Sequence, residues 1–262
     1  MKSILLIFAH PDDESFSAGA TVAKYVKLGY TVNLICATFG EKGESGPYTD
    51  ITPEQLGEIR KKELENAATA LGITTVDFLG YTDGGLKEVT PGEIEDILYT
   101  KILEHTPDIV ITFNPSGISN HPDHIKMCYA ATFAFQKYAR WVRQKLSLPK
   151  AEDSEYEPKL YYTCVPESIV SYLQKQNIMP QISFDKPMHG TEDKFITTII
   201  DCSGYLNIKK KALRMHISQT NDIDRFMSME NNPLFSQEYF IFRMHGIREI
   251  MMGKSDRVAT KL

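Results

Sequence analysis

Over its first 113 residues the chain alternates short apolar runs with longer amphipathic stretches, and few architectures accept that order. Residues 4–8 (Ile-Leu-Leu-Ile-Phe), 31–38, 76–79 and 108–113 (Asp-Ile-Val-Ile-Thr-Phe) read as strands. The last of these is apolar enough to be central in a sheet. Residues 15–28 carry Phe16, Ala20, Val22, Ala23 and Val26 and stop at Gly29, the pattern of a helix with a C-terminal glycine. Thr52-Pro53-Glu54-Gln55 joins an N-cap, a first-turn proline and a capping-box glutamine, opening a helix to about Leu71 before Gly72. A second Thr-Pro start, Thr90-Pro91, opens another to about His105. Strands and helices in alternation with short connections imply a parallel sheet with right-handed crossovers. The expected fold class is α/β: Rossmann-like, with a mostly parallel doubly wound sheet, in a single domain over residues 1–262 with an irregular C-terminal half.

That second half is read as a long helix over residues 125–145 and a polar, mobile surface loop over 147–158. A strand at 160–164, a short helix at 167–176, a strand at 195–201 and a helix at 206–219 follow. The run 239–243 is either a strand or an ordered tail. No internal repeat or linker interrupts the chain.

Two polar clusters sit where strands end. The first strand breaks at Pro11 into His10, Asp12, Asp13 and Glu14; the fourth leads through Asn114-Pro115-Ser116-Gly117 to His121-Pro122-Asp123-His124. In a doubly wound order 3-2-1-4-5, strands one and four are neighbours at the point where the winding reverses, so both clusters open into one crevice. Two histidines and a carboxylate with one position open are the shell of a catalytic zinc site. His10 and Asp13 are three apart, as are His121 and His124, and such pairs face one point at a helix start. Four candidates exceed the three ligands required, so one histidine has another task. Asp12, beside Asp13, is placed to take a proton from water, and His121, with Asp123 on the same turn, to stabilise a transition state or protonate a leaving amine.

Composition excludes some classes. A net charge of −5 gives no basic footprint for nucleic acid. No run approaches the ~20 apolar residues that cross a bilayer, and the start shows no signal-peptide pattern. Cys36, Cys128, Cys164 and Cys202 are scattered, as reduced core cysteines of a cytoplasmic protein would be. A nucleotide-binding protein would need a Gly-x-Gly-x-x-Gly loop after the first strand; carboxylates stand there instead and would repel a pyrophosphate.

His10-Pro11-Asp12-Asp13-Glu14 together with His121-Pro122-Asp123-His124 resembles the PIG-L/LmbE-like N-deacetylases, zinc hydrolases that remove acetyl groups from N-acetylglucosaminyl compounds. Gly40-Glu41, residues 60–73, Asp83-Gly84 and residues 211–219 extend the resemblance, which spans roughly residues 3–125 and 205–220. It implies that His10, Asp13 and His124 bind the metal and that Asp12 is the general base. His121, oriented by Asp123, would stabilise the oxyanion or act as the acid. Arg60 and Asp83, and with them Glu41, would contact the sugar. The cofactor implied is Zn2+, with Fe2+ fitting the same shell. The partner expected is a small amino-sugar substrate, with no nucleic acid and no membrane, in a cytoplasmic homo-oligomer; the malate conjugate of N-acetylglucosamine, a bacillithiol precursor, is a reasonable first substrate to test. Residues 134–191 align with nothing in the family pattern.

Plainer readings exist for each residue. Asp-Asp-Glu after a strand is often only a helix cap, Arg60 among Lys61 and Lys62 only a solvated face, and Asp83 before Gly84 only a turn residue. Glu14 reads as a capping or supporting group. His105, His189, His216 and His245 read as structural or exposed, and Met227, Met229, Met251 and Met252 as apolar packing or an oligomer contact. An amidase for mercapturic-type conjugates and a sugar-binding module with a structural metal are the rival functions.

Overall fold

In the computed structural model, residues 2–147, 157–228, 236–250 and 258–262 are described. The expected mobile loop over 147–158 lies almost wholly outside them, as do Met229, Met251 and Met252.

The five strands expected to build the sheet all form. They are β1 (Ser3–Phe8), β2 (Thr31–Thr38), β3 (Thr75–Tyr81), β4 (Ile109–Phe113) and β5 (Lys159–Cys164). They pair in parallel in the order β3-β2-β1-β4-β5, with Ile4 opposite Ile109 and Leu6 opposite Ile111 across the reversal point. β1 and β4 are buried almost throughout, as continuous apolar runs in a sheet covered on both faces must be. Phe8 and Phe113, at their carboxyl ends, touch at 4.9 Å between ring centroids and floor the crevice.

The helices of the first half are α1 (Asp13–Lys27), α2 (Pro53–Leu71) and α3 (Glu93–His105). The α2 start follows its sequence signal: Thr52 Oγ1 accepts from Gln55 N–H and Gln55 Oε1 from Thr52 N–H, and Gly72 closes the helix in the left-handed region. α3 begins two residues later than Thr90-Pro91 suggests, because Thr90 and Glu93 first close a separate turn. After β4 come a distorted single turn, α4 (Gly117–Asn120), and the long α5 (Pro122–Lys145).

Beyond β5 the chain forms α6 (Glu167–Lys175) and a two-residue hairpin of β6 (Ile182–Ser183) with β7 (Lys186–Pro187). β8 (Thr198–Asp201), α7 (Leu206–Leu213), α8 (Thr220–Met227), β9 (Gln237–His245) and β10 (Arg248–Glu249) complete it. The run 239–243 is thus a strand, and β9 extends the sheet antiparallel to β5, with β8 and β10 antiparallel on β9. Two boundaries differ from expectation. β8 starts at Thr198, since residues 193–195 form a 3-10 turn, and the helix expected over 206–219 ends at Leu213, where the chain turns so that His216 and Ser218 point inward.

A buried ion pair ties this half to the first. Glu238 of β9 accepts from the N–H groups of Ala20 and Thr21 in α1 and from Lys209 Nζ of α7 at 2.6 Å; Lys209 also donates to the Phe16 carbonyl. Gly19 is what lets α7 approach, because a Cβ there would lie 3.3 Å from the Lys209 stem. All four cysteines are buried thiols, as expected.

Candidate metal and catalytic site

The carboxyl ends of β1 and β4 bring the two polar clusters together. His10 leaves β1 at a turn in which its N–H donates to Asp13 Oδ2 at 2.7 Å. His124 stands on the first turn of α5, where its Nδ1 lies 3.1 Å from the Gly117 carbonyl. That carbonyl reaches it because Gly117 takes φ +62° and has no Cβ, which would otherwise sit 3.0 Å from that of His124. A carbonyl only accepts, so His124 carries its proton on Nδ1 and leaves Nε2 a bare lone pair.

The same reasoning fixes His10. Its Nε2 faces Asp83 Oδ1 at 3.0 Å and Asp123 Oδ2 at 3.4 Å, both acceptors. Its Nδ1 is then turned to His124 Nε2 at 3.1 Å and to Asp13 Oδ2 at 3.6 Å, while Asp13 Oδ1 lies 3.3 Å from His124 Nε2. Two imidazole nitrogens and the Asp13 carboxylate, which turns a different oxygen to each ring, thus form a triangle of contacts of 3.1–3.6 Å. Zinc bonds of about 2.0–2.2 Å to nitrogen and oxygen in a tetrahedron place neighbouring ligand atoms about that far apart. Only a proton or a cation can occupy the gap between two imidazole lone pairs, so the donor set fits a divalent ion. Two wider groupings, His10 with His121 and His124 and His10 with Asp83 and Asp123, also lie within 4.8 Å. In the second, backbone N–H groups of Lys42, Gly84 and Leu86 already occupy the carboxylates, which therefore serve to orient His10.

The electrostatics favour a positive charge at this point. Burial pulls His10 down, yet its bonds to Asp123, Asp13 and Asp83 raise it well above the ordinary imidazole value. His124 is pushed down to about 4 by burial, against the pull of Asp13. Asp13 is buried too, but His124 and His10 hold it far below the usual carboxylate range.

Asp12 lies beside this triangle. It sits at φ +116°, a conformation L residues rarely adopt, and its side chain makes no cap bond to α1, so the capping reading fails for it. Its N–H donates to Glu14 Oε2, and its Oδ2 accepts from Arg60 Nη2 at 3.1 Å. Burial raises the Asp12 carboxyl to about 7, with Asp13 and Glu14 adding to the effect and Arg60 opposing it.

One expected contact is corrected, and the surroundings of Arg60, Asp83 and Glu41 are defined. Asp123 does not orient His121 through its carboxylate, which instead accepts from Gly84 and Leu86 N–H and faces His10; its backbone N–H meets His121 Nδ1 at 3.2 Å. His121 is therefore the cap of α5, with its Nε2 carrying the proton, its ring 4.7 Å from His10, and its basicity lowered by burial and by His10. Arg60 is not on a solvated face. It is 3% exposed and donates to the carbonyls of Gly40 and Pro11 as well as to Asp12. Asp83 and Glu41 join in supporting the site, since Glu41 Oε1 accepts from Asp83 N–H and Asp83 faces His10.

Sequence reasoning passed over the partner of Glu14 and one aromatic group. Glu14 is bonded by His216 Nε2 at 3.0 Å and by Ser15 Oγ, linking the turn at residues 213–219 to Asp12. Phe184, at the tip of the β6–β7 hairpin, packs edge-on against His121 at 4.6 Å. The Phe-Asp turn could have marked the hairpin, but nothing in the sequence aims it at His121.

Residues 5–135 match the family described as PIG-L: GlcNAc-PI de-N-acetylase. The chain belongs to the PIG-L family. Among its relatives, the 1D-myo-inositol 2-acetamido-2-deoxy-alpha-D-glucopyranoside deacetylase 2 of Catenulispora acidiphila is 30% identical over 91% of this chain and 88% of that protein. The corresponding deacetylase of Thermomonospora curvata is 31% identical over 91% and 89%. PIG-L-like architecture recurs in N,N'-diacetylchitobiose deacetylase from Pyrococcus horikoshii (TM-score 0.64, 21% identity, 94% of this chain and 85% of that one). It recurs also in GalB, the 4-carboxy-2-hydroxymuconate hydratase of Pseudomonas putida (TM-score 0.66, 18% identity, 96% and 100%). One architecture thus carries a deacetylase and a hydratase, so the chemistry has to be argued from side chains. Among the described residues no helix is long and apolar enough to cross a membrane.

Proposed function

We propose that this protein is a metal-dependent N-deacetylase, hydrolysing the acetamide of an N-acetylglucosamine-type conjugate to acetate and a free amine. The observation that carries this reading is the triangle of His10 Nδ1, His124 Nε2 and the Asp13 carboxylate, with Asp12 beside it and free of it. The substrate class follows from relatives named as deacetylases of an acetamido-glucopyranoside. His10, Asp13 and His124 would hold zinc, and iron(II) suits the same donors. When bound, such an ion supplies a Lewis acid that makes water more acidic and the amide carbonyl more electrophilic.

The remaining work falls to the chain. Asp12, braced by Arg60 and by its N–H bond to Glu14, removes a proton from the attacking water as the carbon–oxygen bond forms. The same carboxyl returns that proton to the amine nitrogen as the carbon–nitrogen bond breaks. His121 is neutral, its Nδ1 is engaged by Asp123 N–H, and its Nε2–H is free to donate to the oxygen that gains charge. Asp83 and Asp123 keep the His10 ring aimed.

Amine release from a panel of N-acetylglucosaminides, including the malate and myo-inositol conjugates, tests the proposal before and after chelation. Turnover should vanish with chelator and return with added zinc. Asp12→Ala should keep its metal yet lose on the order of 10²-fold or more in kcat, as expected for a general base. Full activity after exhaustive chelation, or in Asp12→Ala, would overturn it.

A further inference from the structure

The wall of the space behind the triangle is mostly apolar surface. A cavity of about 500 Å3 opens beside Asp12, Asp13 and His124 and runs away from them under α6 and α8. Its walls include Ile118, Val165, Ile169, Leu173, Met179 and Phe226. Ile169 and Leu173 form an apolar cluster separate from the main core, with Val165, Ile178, Met179 and Phe226 packed around it. That cluster forms one wall of the cavity. Polar groups gather at the inner end, with Asp12, Asp13 and His124, and at the outer rim, where Asp222 and Arg225 pair at 3.3 Å. Of the other polar side chains on its wall, Lys209 is committed to Glu238 and the Phe16 carbonyl, Thr163 to the Thr112 carbonyl and Tyr239 to Gln237, while Ser17, Ser119 and Ser183 also face it.

A sugar ring buried against that apolar surface would leave hydroxyls short of partners, which is unfavourable. A hydrocarbon loses nothing and gains the transfer free energy of its buried surface. We propose that the preferred substrates carry an extended apolar group next to the scissile amide, and that this chamber receives it. This rests on the amidohydrolase reading above and names its substrate class: amides of an amino sugar bearing a hydrocarbon on the acyl or on the aglycone side. Hydrolysis balances as before, with water consumed and a carboxylic acid and an amine released.

The test measures kcat/KM for glucosamine N-acylated with acetyl, butanoyl, hexanoyl and octanoyl groups, and in parallel for methyl, butyl and octyl glycosides of N-acetylglucosamine. Each methylene that enters the chamber is worth about 0.8 kcal/mol, roughly fourfold. From butanoyl to octanoyl, or from butyl to octyl, the gain should therefore be on the order of 10²-fold in the series whose chain enters the chamber. Met179→Trp, which fills the chamber, should collapse the ratio between the longest and shortest members of that series. Octanoate or octyl glucoside should also raise the melting temperature of Asp12→Ala, and Met179→Trp should remove that shift. Hydrolysis of the acetyl and methyl compounds with a flat profile along both series overturns the chamber while leaving the deacetylase. If no compound is hydrolysed, the functional reading fails, and the melting shift alone decides the chamber: its absence overturns it.

Discussion

Nδ1 of His10 and Nε2 of His124 face each other across 3.1 Å, and the partner of each opposite ring nitrogen leaves neither of these two its own proton in the neutral rings. Such an encounter is repulsive unless a proton or a cation lies between. The arrangement is built from both halves of the α/β crossover, His10 ending β1 and His124 starting the helix that follows β4, so folding itself assembles the donors. Adding zinc or cobalt(II) to chelated protein should raise its melting temperature in proportion to occupancy. His10→Ala and His124→Ala should abolish the shift. Asp83→Asn, which removes one orienting charge behind His10, should weaken binding about 10–100-fold without abolishing it. A full shift in His124→Ala would place the ion elsewhere.

Arg60 is expected to act on kcat rather than on KM. Its guanidinium spans the Gly40 carbonyl, the Pro11 carbonyl and Asp12, joining the loop after β2 to the turn after β1. Lysine cannot reproduce that fork, because an ammonium is a single point charge on a flexible stem. Arg60→Lys should therefore lower kcat at least tenfold with little change in KM. Arg60→Met, which leaves the partly buried Asp12 carboxylate and two carbonyls without their donor, should also destabilise the fold by about 1–3 kcal/mol. Steady-state kinetics and denaturant melts check the two effects separately. A raised KM at unchanged kcat would make Arg60 a substrate contact after all.

The sheet order and the meeting of the two histidine clusters were legible in the sequence because both depend on period and chain order. Apolar runs of strand length, alternating with capped helices, admit few topologies, and the winding reversal then places residues 10–13 opposite 121–124. What the sequence hid depends on angles of approach. Asp123 sits two residues after His121, which suggests a partnership, yet on the first turn of α5 its side chain points at His10 while its N–H meets His121. Arg60 among two lysines looks solvated, and only the close pass of the loop at Gly40 buries it; a Cβ on Gly40 would overlap the guanidinium. The link from His216 to Glu14 spans nearly the whole chain and has no local signature.

The pair of Lys209 and Glu238 should behave as one unit. Removing either partner strands the other charge in the interior, and Glu238 also holds two backbone N–H groups of α1. Glu238→Ala should cost about 3–5 kcal/mol. At about 2–4 °C per kcal/mol for a chain of this size, the melting temperature should fall on the order of 10 °C. The double variant Lys209→Met with Glu238→Leu should lose less than the sum of the two singles, since no charge is left unpaired. Strict additivity in a double-mutant cycle would mean that the two side chains act independently.

Alkaline pH should unfold the protein through its buried thiols and phenols. Burial raises the thiols of Cys128 and Cys164 and the Tyr162 phenol to about 12, and pushes Cys36, Cys202, Tyr138 and Tyr161 up as well. Exposed in an unfolded chain, a thiol ionises near about 8.5 and a phenol near about 10. Between those values and the folded ones, the unfolded chain has released protons that the folded protein still holds. Stability therefore falls as pH rises, by about 1.4 kcal/mol per pH unit for each group inside its window. The loss should begin near pH 9 with the cysteines and steepen above pH 10 when the tyrosines join. Replacing Cys128 and Cys164 together by Ala should flatten the first limb by about two groups' worth of slope and leave the second limb in place. Denaturant melts between pH 8 and 11 measure both limbs, and an unfolding free energy that stays level across that range would show that these side chains are not shielded from water.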